Sequence, residues 1–148
     1  MMKIALGADH GGFQHIEAIR KHLVGRGFEV KDFGTYSEES MDYNDVALKV
    51  AEGVRDKEFD RGILVCGTGV GMSIMANKVD GVRAALVHDL FTAEATRLHN
   101  DTNVLTMGGR VIDEDLALRI TDVWVDTAFS NEDRHVRRVG KINEYKGE

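Results

Sequence analysis

Gly62-Ile63-Leu64-Val65-Cys66-Gly67-Thr68-Gly69-Val70-Gly71-Met72 is the stretch on which the fold turns. Its opening residues form a short apolar run bounded by turn formers, which reads as a buried strand. Met72-Ser73-Ile74-Met75-Ala76-Asn77-Lys78 then reads as the start of a helix. Glycines at alternate positions, Gly67, Gly69 and Gly71, let backbone N–H groups turn toward one point and let a ligand come close. The following helix presents its positive end to the same point. The loop therefore suits an anion, either a phosphate or an oxyanion formed during a reaction. Cys66, the only cysteine, stands at its mouth. A thiol beside a helix N-terminus is a usable base or nucleophile. The plainer reading is a small apolar residue that closes a strand.

Strands and helices alternate on both sides of this stretch. Residues 3–8 read as a strand ending at Asp9-His10-Gly11-Gly12. A helix follows with Phe13, Ile16, Ile19 and Leu23 at helical spacing, stopping near Gly25 and Gly27. Residues 28–33 alternate as a second strand. A polar loop over 35–43 leads into a helix with Val46, Ala47, Val50, Ala51 and Val54 on one face. Beyond the glycine loop come a strand over 84–87, ending at His88-Asp89, and a helix to about His99. A fifth strand, 104–107, is closed by Gly108-Gly109, and the helix after Asp113 turns Leu116, Ile120, Val123 and Trp124 inward. A final helix carries only Val136, Val139 and Ile142 on one side.

This order predicts an α/β fold, a three-layer α/β/α sandwich with a five-stranded parallel sheet, Rossmann-like, in a single domain over 1–148. The weak apolar stripe of the last helix predicts that 131–148 is an extension needing a partner surface. In such sheets ligands bind beyond the carboxyl ends of the strands. Asp9, His10, Cys66, Thr68, His88 and Asp89 all fall there.

Composition narrows the function. The chain has 148 residues, 43% hydrophobic and 30% charged, as expected of a globular domain with a real core. Its net charge of −6 argues against nonspecific binding to nucleic acid or an anionic membrane. A single cysteine excludes an intrachain disulfide and fits a reducing compartment. No signal-peptide core and no apolar run of membrane-span length occur, so the expected location is cytoplasmic.

Other polar residues divide between chemistry and structure. Asp9 could accept hydrogen bonds from sugar hydroxyls and His10 could contact phosphate, or Asp9 could cap the first helix. His99 sits where a histidine often complements a helix C-terminus. His15 and His22 read as solvated surface, and His88-Asp89 as a helix cap. Arg134-His135-Val136-Arg137-Arg138 is the one basic cluster; Arg134 and Arg138 project from one helical face and suit a phosphate dianion, or form a solvated charged face. Arg110 is a further anion contact. Gly67-x-Gly69-x-Gly71 with Asp89 mimics a dinucleotide fingerprint, but its third glycine comes one residue early and it follows the third strand. A metal site from Asp9, His10, His88 and His99 lacks any tight ligand spacing.

Taken together, Asp9-His10-Gly11-Gly12, Asp42-Tyr43, Cys66-Gly67-Thr68-Gly69-Val70-Gly71 with Ala76-Asn77-Lys78, His99-Asn100-Asp101-Thr102-Asn103-Val104, Gly109-Arg110-Val111 and Arg134-His135 with Arg138 resemble the ribose 5-phosphate isomerase B family. That family also includes galactose 6-phosphate isomerase subunits, and the resemblance covers nearly the whole chain. It implies an aldose–ketose isomerase without cofactor or metal, interconverting ribose 5-phosphate and ribulose 5-phosphate through an enediolate. Cys66 would be the base, Thr68 and the amides of 67–71 the oxyanion hole, and His99 the residue that opens the sugar ring. Asp9, His10, Tyr43, Gly67, Gly69, Val70, Gly71 and Asn100 would bind substrate, and His10, Arg110, Arg134 and Arg138 its phosphate. The resemblance also implies a homodimer, or a dimer of such dimers, with sites between subunits.

The chain departs from the family at Asn44, where proline is usual, and at Val46, often aromatic. His88-Asp89-Leu90 is closer to hexose-phosphate members. A hexose 6-phosphate isomerase is thus the alternative within the family. A noncatalytic nucleotide- or sugar-phosphate-binding module is the alternative outside it.

Overall fold

The structure, a computed structural model, describes residues 2–34 and 42–146. Its elements are β1 (Lys3–Ala8), α1 (Phe13–Gly25), β2 (Glu29–Asp32), α2 (Tyr43–Arg55), β3 (Arg61–Cys66), α3 (Val70–Ala76), β4 (Ala84–Leu86), α4 (Leu90–Asn100), β5 (Val104–Gly108), α5 (Glu114–Asp126) and α6 (Asp133–Glu144). Residues 35–41 of the expected polar loop lie outside the described residues. The five strands form one parallel sheet in the order β2-β1-β3-β5-β4. The three-layer α/β/α prediction therefore holds.

Side-chain alternation along the strands builds two cores. Ile4, Leu6 and Ala8 of β1, Ile63 and Val65 of β3, and Leu105 and Met107 of β5 face α1, α4 and α5, where Ile16, Ile19, Leu23, Ile120 and Trp124 close the layer. Ala5, Leu64 and Cys66 face the opposite way, into Val46, Val50 and Val54 of α2 and Met72 and Ala76 of α3. Strands buried on both faces need apolar residues at nearly every position, which is why they read as continuous runs. Among the described residues no helix is long and apolar enough to cross a membrane.

Two expectations need correction here. His15 and His22 are half-buried and hydrogen-bonded rather than freely solvated: His15 Nε2 donates to the Ile112 carbonyl at 2.8 Å, and His22 Nε2 donates to Asp122 Oδ1 at 2.8 Å. Both latch α1 to the α5 side of the molecule, contacts made by residues far away in sequence. The apolar stripe of α6 is also split. His135 and Val139, one helical turn apart, are buried, while Val136 and Ile142 are about half exposed. The inward face of α6 is thus set by the 135/139 row, against α4; Val136 is left half exposed, and Ile142, also half exposed, borders a cavity beside β4.

Candidate active site

Strand order puts the crossover between β1 and β3, because α1 runs to one side of β1 and α2 returns the chain to the other. The loops after β1 and β3 therefore open into the crevice where parallel sheets bind ligands. These loops and the one after β5 lie directly on one another. A Cβ on Gly11 would stand 2.9 Å from the Gly67 nitrogen, and one on Gly109 would meet the Gly11 carbonyl oxygen. Main-chain bonds complete the joint: Gly109 N–H donates to the Cys66 carbonyl at 2.8 Å and Arg110 N–H to the Gly67 carbonyl at 3.0 Å.

Within this joint Cys66 is 5% exposed, and its Sγ accepts the Gly69 N–H at 3.1 Å. Gly69 can aim that amide because it adopts φ 81°, a left-handed conformation that glycine alone takes at no cost. Thr68 Oγ1 accepts the Val70 N–H at 3.3 Å. The amides of Gly67, Thr68 and Gly71 meet no acceptor among the described residues. They remain donors for an anion. α3 begins at Val70, earlier than expected, and spans only seven residues, so the loop amides outweigh the helix dipole.

The surrounding candidates gather at the same loop. Asp9 is buried, and its Oδ1 accepts the Gly11 N–H at 2.8 Å. It is not the cap of α1, whose N-cap is Gly12. His10 has a buried Nδ1 with no partner among the described residues. The Tyr43 ring covers Gly71, where a Cβ would stand 2.5 Å from it, and the Arg110 guanidinium lies beside Gly67. Val46 does not reach this site. It is buried beneath it against Gly7, so the departure at 46 is one of core packing. Asn44 is exposed, its amide 4.0 Å from Met75 Sδ.

A second cluster lies on α4 and α6. His99, Asn100, Arg134, His135 and Arg138 line a cavity of about 320 Å³ that none of the glycine-loop residues enters. The His99 and His135 rings stand 4.7 Å apart, tilted by 38°. His135 Nδ1 lies 2.6 Å from Ser130 Oγ. Burial lowers the His135 value, and the cations Arg134 and Arg138 and the neighbouring His99 act in the same direction against Glu132. Its surroundings thus favour the neutral form of the ring beside His99. The sequence places His135 in the basic cluster but gives it no role, because nothing in the chain reveals the ring it meets. A larger cavity of about 500 Å³, between β4 and the end of α6, meets the candidate set only at Asn100.

His88 and Asp89 separate in role. Asp89 caps α4, accepting the Thr92 N–H at 2.6 Å, which removes it as a ribose-binding acid of a dinucleotide site. His88 is not a cap: its Nε2 accepts the Gly108 N–H at 2.9 Å. Among the described residues no three His, Cys, Asp or Glu side chains gather as a metal site.

The chain matches the model of the Ribose/Galactose Isomerase family over residues 4–142. It is 49% identical over 142 residues to ribose-5-phosphate isomerase B of Escherichia coli, covering 96% of this chain and 95% of that protein. It is 41% identical over 130 residues to the D-erythrulose-4-phosphate isomerase of Pectobacterium atrosepticum, covering 87% and 86%. The solved structure of Clostridium thermocellum ribose-5-phosphate isomerase B superposes with a TM-score of 0.94 at 52% identity, covering 97% and 96%. A thiol in a loop of open amides, on a fold that matches such structures along nearly its whole length, places this chain in the ribose/galactose isomerase family.

Proposed function

We propose that this protein interconverts ribose 5-phosphate and ribulose 5-phosphate, with Cys66 as the base. The observation that carries the reading is the Cys66 sulfur held by the Gly69 amide, inside a loop where the amides of Gly67, Thr68 and Gly71 meet no acceptor among the described residues. On the open-chain aldose, the Cys66 thiolate removes the proton from C2. The C1–C2 double bond forms and the carbonyl electrons move onto O1. Thr68 and the amides of Gly67 and Gly71 hold that oxygen as charge develops, the point at which fixed dipoles lower a barrier most. The thiol then returns its proton to C1 while the O2 proton passes to O1, giving the ketose.

Ring opening and part of the phosphate clamp fall to the second cluster. His99 lies outside the glycine loop of its own chain, so a complete site needs a homodimer in which His99 comes from the partner subunit. Asp9 and Asn100 position sugar oxygens. His10, Arg110, Arg134 and Arg138 bind the phosphate, where guanidinium forks match its oxygens. The half-exposed Val136 and Ile142 of α6 supply apolar surface for that assembly.

A panel of four-, five- and six-carbon aldose phosphates, scored for ketose formation, tests the reading. Ribose 5-phosphate should give the highest kcat/KM. Preference for a four- or six-carbon sugar would move the substrate within the family, and binding without turnover would make the protein a sensor. Cys66→Ala should abolish turnover while ribose 5-phosphate still binds. Near-normal turnover in that variant would remove Cys66 as the base.

A further inference from the structure

β4 ends at Leu86, while β5 beside it continues to Gly108. The ladder between them reaches as far as Val87, whose N–H donates to the Thr106 carbonyl at 3.0 Å. The next amide along β5, that of Gly108, donates to no carbonyl. Its acceptor is the His88 ring, at Nε2. An imidazole nitrogen that accepts an N–H carries no proton, so the ring is neutral, with its hydrogen on Nδ1. The side chain thus takes the place of one main-chain carbonyl at the sheet edge.

Gly108 bears directly on the glycine loop. A Cβ there would stand 2.7 Å from the Thr68 carbonyl carbon and oxygen. Gly108 pairs in register with Cys66, and the amides that follow it, of Gly109 and Arg110, hold the carbonyls of Cys66 and Gly67. An unbroken line of contacts therefore runs from the His88 ring to the main chain of Cys66, Gly67 and Thr68.

We propose that His88 is a positioning residue for this loop: its neutral imidazole fixes Gly108, and through it Cys66 and Thr68, in a hold that protonation of the ring releases. The inference rests on reading the loop as the site of proton transfer. A proton on Nε2 would set two donors head to head and leave the Gly108 N–H without an acceptor. Burial disfavours the charged ring. Asp89, the one charged group among the described residues whose field acts on it, opposes burial with a carboxylate already committed to Thr92. The release therefore falls on the acid side of an ordinary imidazole.

The test compares the parent with His88→Gln and His88→Leu. Glutamine brings an acceptor oxygen to about the reach of Nε2 and does not titrate. Leucine fills the space without an acceptor. His88→Leu should lower kcat by about tenfold with KM within about twofold, since the loop rather than the phosphate clamp is disturbed. His88→Gln should recover most of kcat and lack the loss of kcat expected of the parent below about pH 6.5. In the parent, the Gly108 amide resonance should move with pH as the ring titrates, and in His88→Gln it should stay still. Parent-like kcat in a folded His88→Leu, an acid limb unchanged in His88→Gln, or a Gly108 amide indifferent to pH in the parent would each overturn the proposal. Should His88→Leu fail to fold, the glutamine variant and the amide titration decide. The titration needs no substrate, so a protein that turned over no sugar phosphate yet showed it would refute the isomerase reading and leave the hold intact.

Discussion

Gly108→Ala adds one methyl group where the structure leaves no room. The new carbon would stand 2.7 Å from the carbonyl carbon and oxygen of Thr68 and 2.8 Å from its Cα. Comfortable contact begins near 3.5 Å, so strand and loop must part by about 0.8 Å. Gly108 is not among the positive-φ glycines, so the cost is steric rather than conformational. Overpacking of this kind destabilises by ~1–3 kcal/mol. The greater effect is on catalysis, because the displacement falls on the residues that flank the thiol. Misplacement on the order of 1 Å costs up to about 10²-fold in rate, so kcat should fall by ~10–100-fold. On the proposed clamp of Arg134 and Arg138, affinity for inorganic phosphate should change by less than about threefold. Steady-state ketose formation gives kcat, and urea unfolding gives stability. Gly25→Ala is the control: a Cβ there meets nothing within 4 Å, and stability should hold or rise by up to ~1 kcal/mol. Parent-like kcat in folded Gly108→Ala would refute the argument that strand and loop are rigidly joined.

Other expectations follow from the second cluster and from titration. Arg134→Ala or Arg138→Ala should weaken substrate binding by ~1–3 kcal/mol, the scale of a lost charge-assisted hydrogen bond. Unphosphorylated ribose should be a poor substrate that neither change makes much worse; ribose turned over as well as its phosphate would defeat the clamp. Cys66→Ala and His99→Asn dimers should each be nearly dead, and random exchange between equal amounts should restore roughly a quarter of parental activity, because one site of each mixed dimer takes both intact residues. No recovery despite proven exchange would rule out a shared site. His88 and His135 both titrate below the ordinary imidazole value in the folded protein, so the unfolded chain takes up protons first as pH falls. Their contribution is complete above about pH 6.5 and is lost between there and their folded values. The urea midpoint should therefore fall between pH 7.5 and pH 5.5, and a midpoint that rose over that interval would contradict the assignment.

The sequence by itself determined the layers and the loop. Strands buried on both faces must be apolar at almost every position and helices only along a stripe, so residues 3–8, 62–66 and 104–107 announced the sheet. Three alternate glycines after a buried strand announced a tight loop with upturned amides, because that spacing is a local property of the backbone. What the tertiary structure decided is which distant segments touch. Ile112 receives the hydrogen bond of His15, 97 positions away, and Asp122 that of His22, 100 positions away, so two histidines that read as surface are latches. The glycine pairs at 11–12 and 108–109 read as turns, yet Gly11, Gly108 and Gly109 serve as places where one backbone lies on another. His99 and the arginines share a cavity apart from Cys66, a separation that depends on the path of α4 and α6 over the sheet. The His88 ring finds Gly108 only because β4 stops short of β5. Periodicity and turn chemistry act over a few residues and are written in the chain; the partner of a side chain depends on strand order and register, which only the packed sheet fixes.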